Sequence, residues 1–171
     1  ACFDEPKQKL MEYCIENLND LVKVAEEENV ILLLGTVMGM DSPCNASTPI
    51  VLTVDEVAEI IEQIGSSYLA AYADTQVLSI RGESLTDWFD RLGEKVRLVR
   101  FTDGNYNGYR IWGKGVLPAE KLAEEIYRTG FNGLISFQIP GERYCENPKD
   151  AQKQNHFRAL SAWREVMDCQ R

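Results

Sequence analysis

The chain has 171 residues, with 18 Lys and Arg against 27 Asp and Glu, giving a formal charge of −9; this argues against a nucleic-acid binder, whose affinity rests on cations meeting phosphates. An apolar share of 44% can bury a core and excludes a disordered chain, yet no run approaches the roughly 20 apolar residues of a membrane span. The single histidine, His156, excludes a site built on several histidines.

The length suits one domain. Cys2, Cys14, Cys44, Cys145 and Cys169 show no close spacing, a pattern that reads as reduced thiols rather than a disulfide framework. No basic segment followed by an apolar run opens the chain, so no secretion signal is read there. A cytoplasmic location is the resulting expectation. Asn45-Ala46-Ser47 matches a glycosylation triplet, a pattern short enough to arise by chance. Ala1 stands where an initiator Met would, which suggests processing or a fragment.

From about Pro6 to Glu28 the apolar positions Leu10, Met11, Cys14, Ile15, Leu18, Leu21, Val22 and Ala25 recur with helical period. Val30–Leu34 is wholly apolar, as befits a parallel strand covered on both faces. A loop from Gly35 to Pro49 follows. Thr53-Val54-Asp55-Glu56 is a capping box, opening a helix that ends at Gly65. Tyr68–Ala73 predicts a second strand ending at Asp74, Leu85–Leu92 a helix, and Val96–Phe101 a third strand. A polar loop spans Asp103–Gly115. Pro118 suits the first turn of the next helix, where its missing N–H costs nothing. Gly133–Ile139 predicts the fourth strand, and a helix runs from about Pro148 to Cys169.

Strands alternating with helices predict an α/β fold of parallel βα repeats joined by right-handed crossovers. Four strands fit either an open, doubly wound sheet or half of a (β/α)₈ barrel. Leu34-Gly35-Thr36-Val37-Met38-Gly39 does not match the GxGxxG phosphate turn of the former. In either fold the chemistry belongs at the carboxyl ends of the strands, near Gly35, Asp74, Arg100 and Gln138.

Val24-Ala25-Glu26-Glu27-Glu28-Asn29-Val30, Tyr72-Ala73-Asp74-Thr75, Leu92-Gly93-Glu94-Lys95-Val96-Arg97-Leu98-Val99 and Gly113-Lys114-Gly115 stand in a shared order and spacing. On these stretches the chain resembles the carboxyl-terminal half of the xylose isomerase-like TIM barrels, and most of all the ketose 3-epimerase and fructoselysine 3-epimerase group. The resemblance implies one partial barrel domain over residues 1–171, equivalent to strands five to eight. It implies a sugar isomerase or epimerase that moves a proton beside a carbonyl of a ketose or sugar derivative. It also implies a divalent metal (Mn²⁺, Mg²⁺ or Co²⁺) held by Glu, Asp, His and Glu at four strand ends, two of the carboxylates also moving protons.

Carried over by position, those ligands fall on Gly35, Asp74, Arg100 and Gln138, of which Asp74 alone matches. Glycine offers no donor, Arg100 would repel the ion, and Gln138 can take no proton. The expectation is a largely lost metal site that leaves the metal unbound, with Asp74, Arg100 and Gln138 at the catalytic positions. Asp103, Arg110 and Trp112 are candidates to bind substrate, with Tyr106, Asn107 and Tyr109 as further hydrogen-bonding groups and Asp41 and Glu142 as loop carboxylates. Met40, Cys44 and Asn45 lie in the first strand-end loop. Trp88 and Trp163 read as core, and His156 as a surface or interhelical residue remote from the strand ends.

Four parallel strands leave unpaired edges at Val30–Leu34 and Gly133–Ile139. The expected partners are therefore a small-molecule sugar and either a second copy of the chain or a missing amino-terminal half-barrel. A non-catalytic, carbohydrate-binding or subunit-type relative is the alternative to an enzyme.

Overall fold

The computed structural model describes residues 5–36 and 51–169. In chain order the elements are α1 (Lys7–Glu27), β1 (Leu32–Leu34), α2 (Val54–Ile64), β2 (Leu69–Asp74), α3 (Thr75–Arg81), α4 (Leu85–Leu92), β3 (Val96–Arg100), β4 (Asp103–Asn105), β5 (Gly108–Arg110), α5 (Ala119–Arg128), β6 (Leu134–Ser136) and α6 (Pro148–Asp168). Four strands form one parallel sheet in the order β1-β2-β3-β6, and β4 and β5 make a separate antiparallel pair. The expected α/β architecture of parallel βα repeats is the observed one.

Local chemistry sets the boundaries. Thr53 Oγ1 accepts from Glu56 N–H at 3.3 Å while the Glu56 carboxylate accepts from Thr53 N–H, the capping box read from sequence. Ser84 and Asp87 open α4 in the same reciprocal way. Gly65, at φ 67°, closes α2 in a left-handed conformation that favours glycine.

The strands divide the sheet into two unlike faces. Leu69, Ala71, Ala73, Val99 and Phe101 lie at or below 1% exposure and pack under the helices with Val57, Ile60, Trp88, Ala123, Ile126 and Ala159. Each large apolar side chain buried there is worth about 1.5–3 kcal/mol. Trp88 keeps its indole N–H satisfied by donating to Glu83 Oε2 at 2.9 Å. On the opposite face Tyr72 pairs with Leu98, Leu98 with Leu134, Asp74 with Arg100, and Arg100 with Ser136. Leu134 is 69% exposed upon that face, and the strands at its two margins, β1 and β6, each have one neighbour.

Three expectations need correction. The first strand begins at Leu32 rather than Val30, because Val30 N–H still bonds Ala25 O at the end of α1 and Asn29 turns there with φ 54°. The segment after Asp74 is helical: the Asp74 carboxylate caps α3, and Gly82 at φ 73° ends it. The stretch Asp103–Gly115 is no plain loop, since β4 and β5 form a hairpin whose Asn107-Gly108 dipeptide is a recognised turn signal.

Candidate functional site

Asp74 ends β2, pairs in register with Arg100 on β3, and is 3% exposed. Its Oδ1 accepts from Gln76 N–H at 3.0 Å, Val77 N–H at 3.3 Å and Thr102 Oγ1 at 2.8 Å. Its Oδ2 accepts from the Tyr109 hydroxyl at 2.9 Å and stands 3.6 Å from an Arg100 guanidinium nitrogen. A carboxylate has about four lone-pair positions; here four hydrogen bonds and the Arg100 charge surround the two oxygens.

Two aromatic side chains complete the cluster. The Arg100 guanidinium lies over the Tyr72 ring, 4.8 Å from its centroid, in the geometry of a cation–π contact. Tyr72 also closes the position at Gly35, where a Cβ would come within 2.5 Å of the ring. Tyr109 reaches Asp74 from β5 across 35 residues. Burial first, and the Asp74 charge second, push its phenol above the ordinary tyrosine value, so it stays a hydrogen-bond donor throughout the neutral range. Sequence reasoning did not single out Tyr72 or Thr102, although both stand at even spacing from Asp74 and Arg100, the period that places residues on one face of a strand.

The remaining candidates fall into two sets. Asp103 is 1% exposed and folds the loop around itself: its oxygens accept from Gly104, Gly113, Gly115 and Leu117 N–H at 2.7–3.1 Å. Trp112, 3% exposed, donates its indole N–H to Phe101 O at 3.1 Å and stacks 4.3 Å from the Phe101 ring. The polar atoms of both side chains are thus engaged within the loop and its neighbouring strand end. Trp88 and Trp163 belong to or pack against the core, as expected. Arg100, Arg110 and Gln138, by contrast, are half-buried around the strand ends, with Arg110 Nη1 donating to the carbonyl of its neighbour Tyr109. Tyr106, Asn107 and Glu142 are exposed. His156 is not remote from the strand ends: its ring meets Phe137 edge to face with centroids 5.9 Å apart. Met40, Asp41, Cys44, Asn45 and the glycosylation triplet lie outside the described residues.

Among the described residues no three His, Cys, Asp or Glu side chains converge as a metal would require. The donor chemistry explains this. Arg100, Phe101 and Thr102 supply neither imidazole nor carboxylate at the third strand end, and Gln138 supplies no charge at the fourth. Among the described residues, the strand-end positions 74, 100 and 138 bring one carboxylate to such a site.

The model of the family described as xylose isomerase-like TIM barrel matches residues 3–163. Fructoselysine 3-epimerase of Escherichia coli O157:H7 is 26% identical over 151 residues, covering 85% of this chain and 52% of that protein. D-psicose 3-epimerase of Enterocloster bolteae is 25% identical over 119 residues, covering 70% of this chain and 36% of that protein. Among solved structures, the IOLI protein with a bound zinc atom matches with a TM-score of 0.75 at 14% identity, over 96% of this chain and 60% of that one. D-psicose 3-epimerase from Clostridium cellulolyticum H10, solved with D-tagatose, matches with a TM-score of 0.67 at 18% identity, over 96% and 58%. The chain spans about half the length of the curated relatives it matches.

Proposed function

Because the chain belongs to the xylose isomerase-like TIM barrel family, we propose that it is a sugar-isomerase-type half-barrel whose metal seat has become a packed polar cluster. In this reading it binds a carbohydrate or serves as a subunit, and the metal-dependent epimerisation is lost. The reading is carried by one observation: both Asp74 oxygens are already engaged by two backbone N–H groups, Thr102, Tyr109 and Arg100.

The chemistry points the same way. Moving a proton beside a carbonyl asks for two groups that exchange it and an electrophile for the enolate oxygen. Of the four positions the family would use, Gly35 has no side chain, Gln138 exchanges no proton and Asp74 is held by its neighbours. Arg100 alone keeps its capacity, as a fixed positive charge beside an oxygen. Arg100, Gln138 and Arg110 are the groups we assign to a sugar's hydroxyls, with Asp74 and Tyr109 positioning Arg100. The uncovered sheet face, with Leu134 exposed upon it, is in this account closed by a second half-barrel, either an amino-terminal one or another copy. A cytoplasmic setting is part of the proposal and agrees with the free thiols of Cys14, Cys145 and Cys169.

Saturation-transfer NMR with D-psicose and D-fructose, run with and without Mn²⁺, tests the reading. Saturable contact that ignores the metal, with no interconversion of the two sugars, is expected. Mn²⁺-dependent interconversion would return the chain to the enzymes.

A further inference from the structure

A cavity of about 500 Å³ lies between the chain following β6 and the first turns of α6, lined by Phe137, Ile139, Lys149, Gln152, Lys153, Asn155 and His156. Its size falls in the range of small-molecule sites, roughly 300–1,000 Å³. Phe137 and Ile139 form an apolar wall, and the helix supplies nitrogen groups along one face at 149, 152, 153 and 156, the spacing of neighbours on a helix surface.

Asn155 is the telling residue. It is 3% exposed, and its Oδ1 accepts from Trp112 N–H at 2.8 Å, which fixes the orientation of the amide. Its Nδ2 has no protein partner among the described residues and is not sealed from solvent, so its N–H groups are free to donate into the cavity that the side chain lines. Lys149 and Lys153 form no ion pair among the described residues, in a chain whose formal charge is −9. The nearby acid on the same helix turn, Asp150, accepts instead from Asn147 Nδ2 at 2.7 Å and does not line the cavity.

We propose that this cavity is a binding site for a small phosphate monoester. Two ammonium groups match a dianion, the Asn155 amide donates to a phosphate oxygen, and the His156 ring is held at the rim by Phe137. The volume exceeds what a bare phosphate fills, so the organic part of the ester lies along Phe137 and Ile139. This assignment does not depend on the reading of Asp74 and Arg100, neither of which lines the cavity.

Titration of the 171-residue chain with inorganic phosphate and glycerol 3-phosphate, followed by amide NMR with glycerol as the neutral control, tests the assignment. Shifts are expected at the Asn155 side-chain amide and in α6, stronger for the ester than for phosphate and absent with glycerol. Lys149→Ala with Lys153→Ala should weaken binding at least tenfold at unchanged melting temperature, and Lys153→Arg should retain it. Asn155→Asp keeps the acceptor for Trp112 and should abolish binding; where that variant fails to fold, the lysine variants decide. No phosphate-dependent shift, or equal affinity in the lysine double variant, would overturn the assignment.

Discussion

Tyr72 fills the space into which a side chain at Gly35 would project, its ring atoms standing 2.5 Å from where that Cβ would be. The same ring carries the Arg100 guanidinium at 4.8 Å, so one side chain both closes the Gly35 position and seats the arginine. Gly35 and Arg100 thus belong to one packing arrangement around Tyr72.

Gly35→Glu on its own should therefore restore no function and should destabilise the chain by about 1–3 kcal/mol, the usual range for overpacking. Combining it with Tyr72→Ala should recover part of that loss. Urea unfolding of the single and double variants reads the coupling; independent, additive effects would contradict the contact.

Asp74→Ala should cost about 3 kcal/mol or more. It removes the cap of α3, leaves the Thr102 and Tyr109 hydroxyls without their acceptor, and strands the Arg100 charge. Tyr109→Phe, which removes one donor and leaves the rest, should cost only about 1 kcal/mol. Thermal unfolding of the two variants checks the ratio.

Acid should weaken the junction of α1 and α2. Burial pushes the Glu56 carboxyl up, but the Lys7 ammonium and the Leu52 and Thr53 N–H groups outweigh it and hold the group below its ordinary value. A carboxyl lowered in the folded state adds stability above its unfolded value, and that stability is lost as pH falls through the folded value. Glu56→Gln should lower the urea midpoint at neutral pH, and the difference from the parent should close below about pH 4. A constant difference across that range would show that the charge contributes nothing.

The uncovered sheet face should govern assembly. With Leu134 69% exposed and Val30 and Ile31 53% and 48% exposed beside the other margin, the isolated chain is expected not to run as a stable monomer. Light scattering after gel filtration should show self-association, and Leu134→Lys should reduce it. A monodisperse, cooperatively unfolding monomer would contradict the half-barrel account.

Much of this was legible in the residues, and the exceptions have physical causes. The four strands and the helices around them follow from apolar runs and helical period, and Thr53 and Glu56 announced their cap. The helix after Asp74 escaped notice because one carboxylate at a strand end ended β2 and started α3 at once. The hairpin was hidden in a polar stretch, where Asn107-Gly108 was the available sign. Asp74 and Arg100 could each be placed at a strand end, but their meeting, the ring of Tyr72 and the hydroxyls of Thr102 and Tyr109 come together only through strand register and the hairpin. Trp112 and Asp103 carry side chains that suit a sugar equally well, and only burial reveals that they serve the loop.

The central claim is that the Asp74 cluster leaves no seat for a divalent cation. Electron paramagnetic resonance of Mn²⁺ added at one equivalent to the chain reads this directly. The free-ion signal should persist undiminished, and should do so equally in Tyr109→Phe. Loss of that signal at one equivalent, with coordination assigned to the Asp74 carboxylate, would contradict the account.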